Sequence, residues 1–328
     1  MIRACATLAF LATTAFADGN EHTPFHPDPD HIWNRIHEAF YVRVGADGTK
    51  YTAEVLDPPL APKTIFPLTP PAHQTIIAML DEFLATDAAT KISDPLKRAI
   101  FQRDIWAVFD WTAKPVAWYS KAGRTYPEKR RALQVRLAKM IQQVALTREE
   151  IEVLPDNYDL ASSSGLFPPA YDPAMPRAAF LPPGLTQSPE PWLQLSGMKA
   201  PEHNEVSMGR SVFLIFCLFP DEPGYLHRLR DFSAPWEFST YYQKFPSGGG
   251  SVYIVNRKLP QFPAGSQFIL MRRTLLIDAS GALVLSPLTE SVQIRVYTTE
   301  PRNDVPHRAF SQEVYAFELD RDARFSEK

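Results

Sequence analysis

The chain has 328 residues, with 34 Lys and Arg against 37 Asp and Glu and a formal net charge of −3. With a pI near 6.3, it lacks the basic excess of a dedicated nucleic-acid binder. The length suffices for about two domains and a core that needs no staples, and beyond the N-terminal segment no stretch is apolar for long enough to span a bilayer as a helix.

Residues 1–17 have the pattern of a secretory signal peptide. Arg3 gives the positive start, a short apolar run from Ala4 follows, and Ala15-Phe16-Ala17 forms an A-x-A cleavage site before Asp18. An exported chain in the periplasm or medium is therefore expected, with no transmembrane segment after cleavage. Cleavage would remove Cys5 and leave Cys217 alone, so no internal disulfide is expected. Cys217 lies inside the apolar run Val212–Phe219 and reads as a small buried hydrophobe.

Residues 18–30 are polar and rich in His and Pro, an extended arm. Ile32, Trp33, Ile36 and Phe40 then fall on one helical face. Gly45-Ala46-Asp47-Gly48 reads as a turn between Tyr41–Val44 and Lys50–Val55, a small hairpin. A proline-laden loop follows, and Thr69-Pro70-Pro71 opens a second helix with Ile76, Ile77, Leu80, Phe83 and Leu84 on one face.

Residues 94–113, DPLKRAIFQRDIWAVFDWTA, organise the N-terminal half. Asp94 is an N-cap and Pro95 suits the first helical position. The apolar residues run nearly all round, as expected of a helix packed on several sides. Thr125-x-x-Glu128 and Thr147-x-x-Glu150 are capping-box patterns, the first leading a helix with Leu133, Leu137, Met140, Ile141 and Val144 at helical spacing.

Residues 155–210 change character. Their prolines bar long helices and central strands. Yet Phe167, Tyr171, Phe180, Leu181, Trp192 and Leu195 are too apolar for a free linker, so the segment is expected to lie pinned on the surface. From Ser211 the pattern is β: Val212–Phe219, Ser251–Asn256, Phe268–Asp278 and Ala282–Ser286 about an Ala279-Ser280-Gly281 turn, the alternating Val292, Ile294 and Val296, and Gln312–Leu319.

These readings predict an α+β protein: an N-terminal α-helical bundle over residues 18–154, a connector over 155–210 and a C-terminal antiparallel, β-sandwich-like domain over 211–328. Arg103 and Asp104 have no opposite charge three or four residues away, so if buried they must find partners on other helices. They are the candidate catalytic or polar-pocket residues. Asp110, by contrast, has Lys114 four residues on. His22, His26, His31 and His37 are four of the eight histidines and candidate metal ligands, although their spacing matches no zinc pattern. The polar-arm reading puts His37 on a helix surface. Lys129, Arg130, Arg131, Arg136 and Lys139 oppose an apolar stripe and read as a solvated face. Trp236, Tyr241 and Tyr242 are candidate ligand-binding aromatics beside a glycine-rich loop.

No CxxCH, GxSxG, GxGxxG or DxDxDG motif occurs, and no cofactor is expected. The sequence thus favours a non-catalytic binding or structural module with a protein or small-molecule partner. An extracytoplasmic hydrolase with its site between the helical and β parts, and metal capture by the His-rich arm, are the alternatives.

Overall fold

The computed structural model describes residues 25–44, 50–51, 65–113, 126–195, 209–220, 222–230, 236–241, 250–255, 260–299 and 312–318. Residues 1–17, and with them the expected signal peptide, lie outside this set, as do His22, Lys114, Thr125 and Tyr242. The fold is α+β, with helices in the N-terminal part and a five-stranded antiparallel sheet in the C-terminal part.

Helix α1, Ile32–Tyr41, is followed by the short strands β1, Arg43–Val44, and β2, Lys50–Tyr51, which pair antiparallel. Helix α2, Ala72–Ala85, starts at Pro71, and helix α3 spans Pro95–Ala113. The Asp94 carboxylate accepts the amides of Leu96 and Lys97, so it caps α3 as its sequence suggests. Helix α4, Pro127–Gln143, begins behind Tyr126, which is in the left-handed region and makes no side-chain cap. Helix α5, Arg148–Glu152, has both bonds of the Thr147/Glu150 capping box.

The aromatic core sits among these helices. Phe101 of α3 stacks on Trp33 of α1 at 4.2 Å between centroids and meets Phe83 of α2 at 5.8 Å and Phe25 at 5.2 Å. Leu133, Leu137, Met140 and Ile141 of α4 close the same cluster. Burying each such side chain contributes about 1.5–3 kcal/mol, and α3 contributes Ile100, Phe101, Ile105, Trp106, Val108 and Trp111 because nearly all its faces are covered.

The proline-rich stretch holds one helix that its composition hides: α6, Asn157–Ser163, capped by Asp156, which accepts the amides of Tyr158 and Asp159. The next proline, Pro168, comes only after it ends. The stretch also holds strand β3, Leu193–Leu195. Between them Phe180, Leu181, Leu185 and Trp192 pack over Phe216, Ile269, Met271, Val292 and Ile294, covering one face of the main sheet.

That sheet runs β3, β4 (Ser211–Leu218), β7 (Gln267–Ile277), β8 (Leu283–Tyr297) and β9 (Gln312–Glu318), every pair antiparallel. Helix α7, Glu222–Arg230, interrupts the β region where none is expected, and β5, Trp236–Tyr241, pairs with β6, Gly250–Val255, as a separate hairpin. Residues 283–286 and 292–296 belong to one strand, β8. Between them the β7–β8 register shifts at Arg272/Arg273 and again before Leu275, which accommodates Pro287 inside a strand. The first shift sets Glu290 between the pairs Arg272–Ser291 and Arg273–Thr289 as an extra residue.

The helices dock on the turn end of the β7–β8 hairpin. Ala99, Leu146, Ile151 and Leu154 pack with Leu276, Val284 and Leu288. Gln102 of α3 bonds the backbone of Ile277 in both directions, at 2.8 and 2.9 Å. The turn itself is tied by Asp278, whose carboxylate accepts the Ser280 hydroxyl and the amides of Ala282 and Ser280. These bonds, the Ser280 hydroxyl first, and the nearby Arg148 hold its pKa below the ordinary carboxylate value. A depressed folded pKa gives stability that is present above the unfolded value of about 3.9 and is lost as pH falls through the lower folded value. Asp278→Asn should therefore lower the urea midpoint at pH 7, and the gap to the parent chain should narrow toward pH 3.

Candidate functional site

Arg103 and Asp110 are seven residues apart and so share a face of α3. That face meets the start of β4. The Arg103 guanidinium donates to the carbonyl of Arg210 at 2.5 Å and to the Ser211 hydroxyl at 3.2 Å, and it pairs with the Glu290 carboxylate. The Ser211 hydroxyl bonds the same carboxylate at 2.9 Å, Arg272 pairs with its second oxygen, and Arg210 pairs with Asp110. Arg103 and Glu290 have no side-chain exposure at all. The partners of Arg103 thus come from strands, where the sequence reading placed them on helices, and the bulge at Glu290 brings its carboxylate to them. Asp110, expected to pair with Lys114, bonds Arg210. Below the cluster, Asn157 clamps the backbone of Thr289 at 2.7 and 2.8 Å, and Arg273 pairs with Asp156.

Asp104 points the other way, to α1. Its carboxylate lies 3.1 Å from His37 Nδ1, and its carbonyl accepts the Tyr41 hydroxyl at 2.6 Å. His37 is 1% exposed, which corrects the expectation of a helix-surface histidine. The signal was present: Trp33, His37 and Tyr41 recur every four residues and lie on the apolar stripe of α1. Of the candidate histidines among the described residues, His26 and His31 lie elsewhere. His31 caps α1, and His26 stacks on His31 at 4.2 Å. Among the described residues no three His, Cys, Asp or Glu side chains are placed to hold a metal ion.

The basic helix is also tied inward. Arg130 is buried over the Trp111 ring at 4.9 Å and donates to the Trp111 carbonyl, Lys129 donates to the Leu68 carbonyl, and Arg136 pairs with Asp81. Burial lowers the Arg130 pKa. Trp236 and Tyr241 fall at the two ends of β5.

One open cleft lies on the connector side, about 30 Å³ in volume, with Tyr158, Phe167, Leu181, Thr289, Val292 and Phe317 among its walls. Phe167 and Phe317 meet edge to face at 5.5 Å. This is room for a small group, since about 10–15 Å³ of such space is needed to hold one water. Leu160 and Leu166, neighbours in sequence of wall residues, are 56% and 66% exposed. Among the described residues no helix is long and apolar enough to cross a membrane.

No family model matches this chain, and no curated protein or solved structure matches it either.

Proposed function

We propose that this chain is an exported, non-catalytic binding or structural module, with a bundle-like helical layer joined to a sandwich-like β part. One observation carries the reading. The ionisable groups gathered at the helix–sheet junction are spent on one another: Glu290 serves two guanidinium groups and a hydroxyl. Such a network fixes the register of two layers, and although Glu290 also lines the open cleft, its unexposed carboxylate is held by both guanidinium groups. The open cleft has mostly apolar walls, and the exposed Leu160 and Leu166 suit contact with an apolar side chain of a protein partner. Export rests on Arg3, the apolar run and Ala15-Phe16-Ala17.

The His37–Asp104 pair favours a second reading, a hydrolase, because a carboxylate on Nδ1 is what orients a catalytic imidazole. Its burial among Phe25 and Tyr41 supports a structural role instead.

Two measurements test the proposal. Chromogenic ester, phosphate and glycoside substrates should give no turnover that differs between the parent chain and His37→Gln; turnover lost in that variant, with its fold intact by circular dichroism, would establish the hydrolase. A photo-crosslinking residue at position 166 should give one discrete adduct in the host compartment, and one at the exposed position 131 should give none. Identical patterns from the two positions would remove the binding surface.

A further inference from the structure

We propose that His31 is a pH sensor: it holds the strap of residues 25–31 on α1 at neutral pH and lets it go in acid. The strap is built to be held. Asn34 of α1 uses its whole amide on it, accepting the backbone N–H groups of Phe25 and His26 at 3.0 and 3.2 Å and donating to the carbonyls of His26 and Asp28 at 2.7 and 2.8 Å. These bonds seat the Phe25 ring in the helical core against Trp33, His37 and Phe101.

His31 closes the strap as the N-cap of α1, its Nδ1 accepting the Trp33 amide at 3.4 Å. An imidazole that accepts through Nδ1 carries its proton on Nε2. The only place for a second proton is then Nδ1 itself, so charging the ring removes the cap. The cation would also lie at the positive end of α1 and against the His26 ring, which is stacked at 4.2 Å and 19° and accepts the Asp28 amide through its own Nδ1.

Among the described residues, the titratable and charged groups around the strap are His26, Asp28 and Asp30 on the strap itself, Arg35 and His37 of α1, the latter meeting the Phe25 ring and the Asp104 carboxylate, and Lys97 of α3, whose Nζ donates to the Phe25 carbonyl at 2.9 Å. Burial first and His26 second hold the His31 pKa below its ordinary value, with Asp28 acting the other way. Closure is therefore favoured above the unfolded His value of about 6.5 and is lost as pH falls through the lower folded value. The His31 ring is half-buried.

Hydrogen exchange on the full chain at pH 7.5 and 5.0, corrected for intrinsic rates, tests this. Protection of the Phe25, His26 and Trp33 amides should fall about five- to tenfold in acid relative to amides of α4, the scale expected when one cap is lost. His31→Ser, which caps without titrating in this range, should keep that ratio constant. Equal protection at both pH values in the parent chain, or the same fall in His31→Ser, would overturn the proposal.

Discussion

Replacing Glu290 by glutamine is expected to destabilise the chain by about 3–5 kcal/mol, read as a lower urea midpoint at unchanged m value. Glutamine matches glutamate in size, so no cavity opens. What is lost is the charge that Arg103 and Arg272 share. The Arg103 guanidinium would keep the carbonyls of Arg210 and Leu275 and the Ser211 hydroxyl. Neutral acceptors balance a buried charge poorly. Adding Arg103→Met to Glu290→Gln should therefore recover part of the loss, because it removes the stranded cation. Arg103→Met alone should cost less than Glu290→Gln, since the carboxylate retains Arg272 and Ser211. That non-additive cycle distinguishes a coupled network from three independent contacts. A loss within about 0.5 kcal/mol for Glu290→Gln, the scale of ordinary surface changes, would mean that the junction of helices and sheet does not depend on this charge.

Local order was legible where local chemistry sets it. Asp94-Pro95 opens α3, Thr147 and Glu150 box α5, and Ala279-Ser280-Gly281 turns the β7–β8 hairpin. The site was legible only on one side. Arg103 stood out because nothing on its own helix could pair with it, but its partner lies 187 residues further along. No spacing rule reaches so far. The stretch Ser286-Pro287-Leu288-Thr289-Glu290 reads as a break because proline and alternation fail there, whereas in the fold it is the bulged middle of β8. The irregularity that hid the strand is the same one that brings Glu290 to Arg103. In α6 the surrounding prolines outweighed a good Asp156 cap. His37 was misjudged because it was weighed with the polar arm before it, and not with Trp33 and Tyr41 on its own face.

Phe101→Ala should cost about 3–5 kcal/mol, the range for truncating a buried aromatic. Phe101 is fully buried where three other elements meet: Trp33 on α1, Phe83 on α2 and Phe25 on the strap. The three rings belong to different parts of the chain, and the helix backbones behind them are fixed by their own contacts. Collapse around a smaller side chain is therefore limited, and the cavity term should stay close to its full size. Phe101→Leu keeps most of the volume and should cost less. Phe167→Ala, at a half-buried ring in the connector-side cluster, should cost less than Phe101→Ala and leave Trp33 untouched. Thermal and urea unfolding rank the three variants, and the hydrogen-exchange protection of the Phe25 amide reports whether the strap has lost its seat. A Phe101→Ala variant that unfolded at the parent midpoint would mean that α3 does not hold the helical layer together, and the burial of its aromatic face would then need another role.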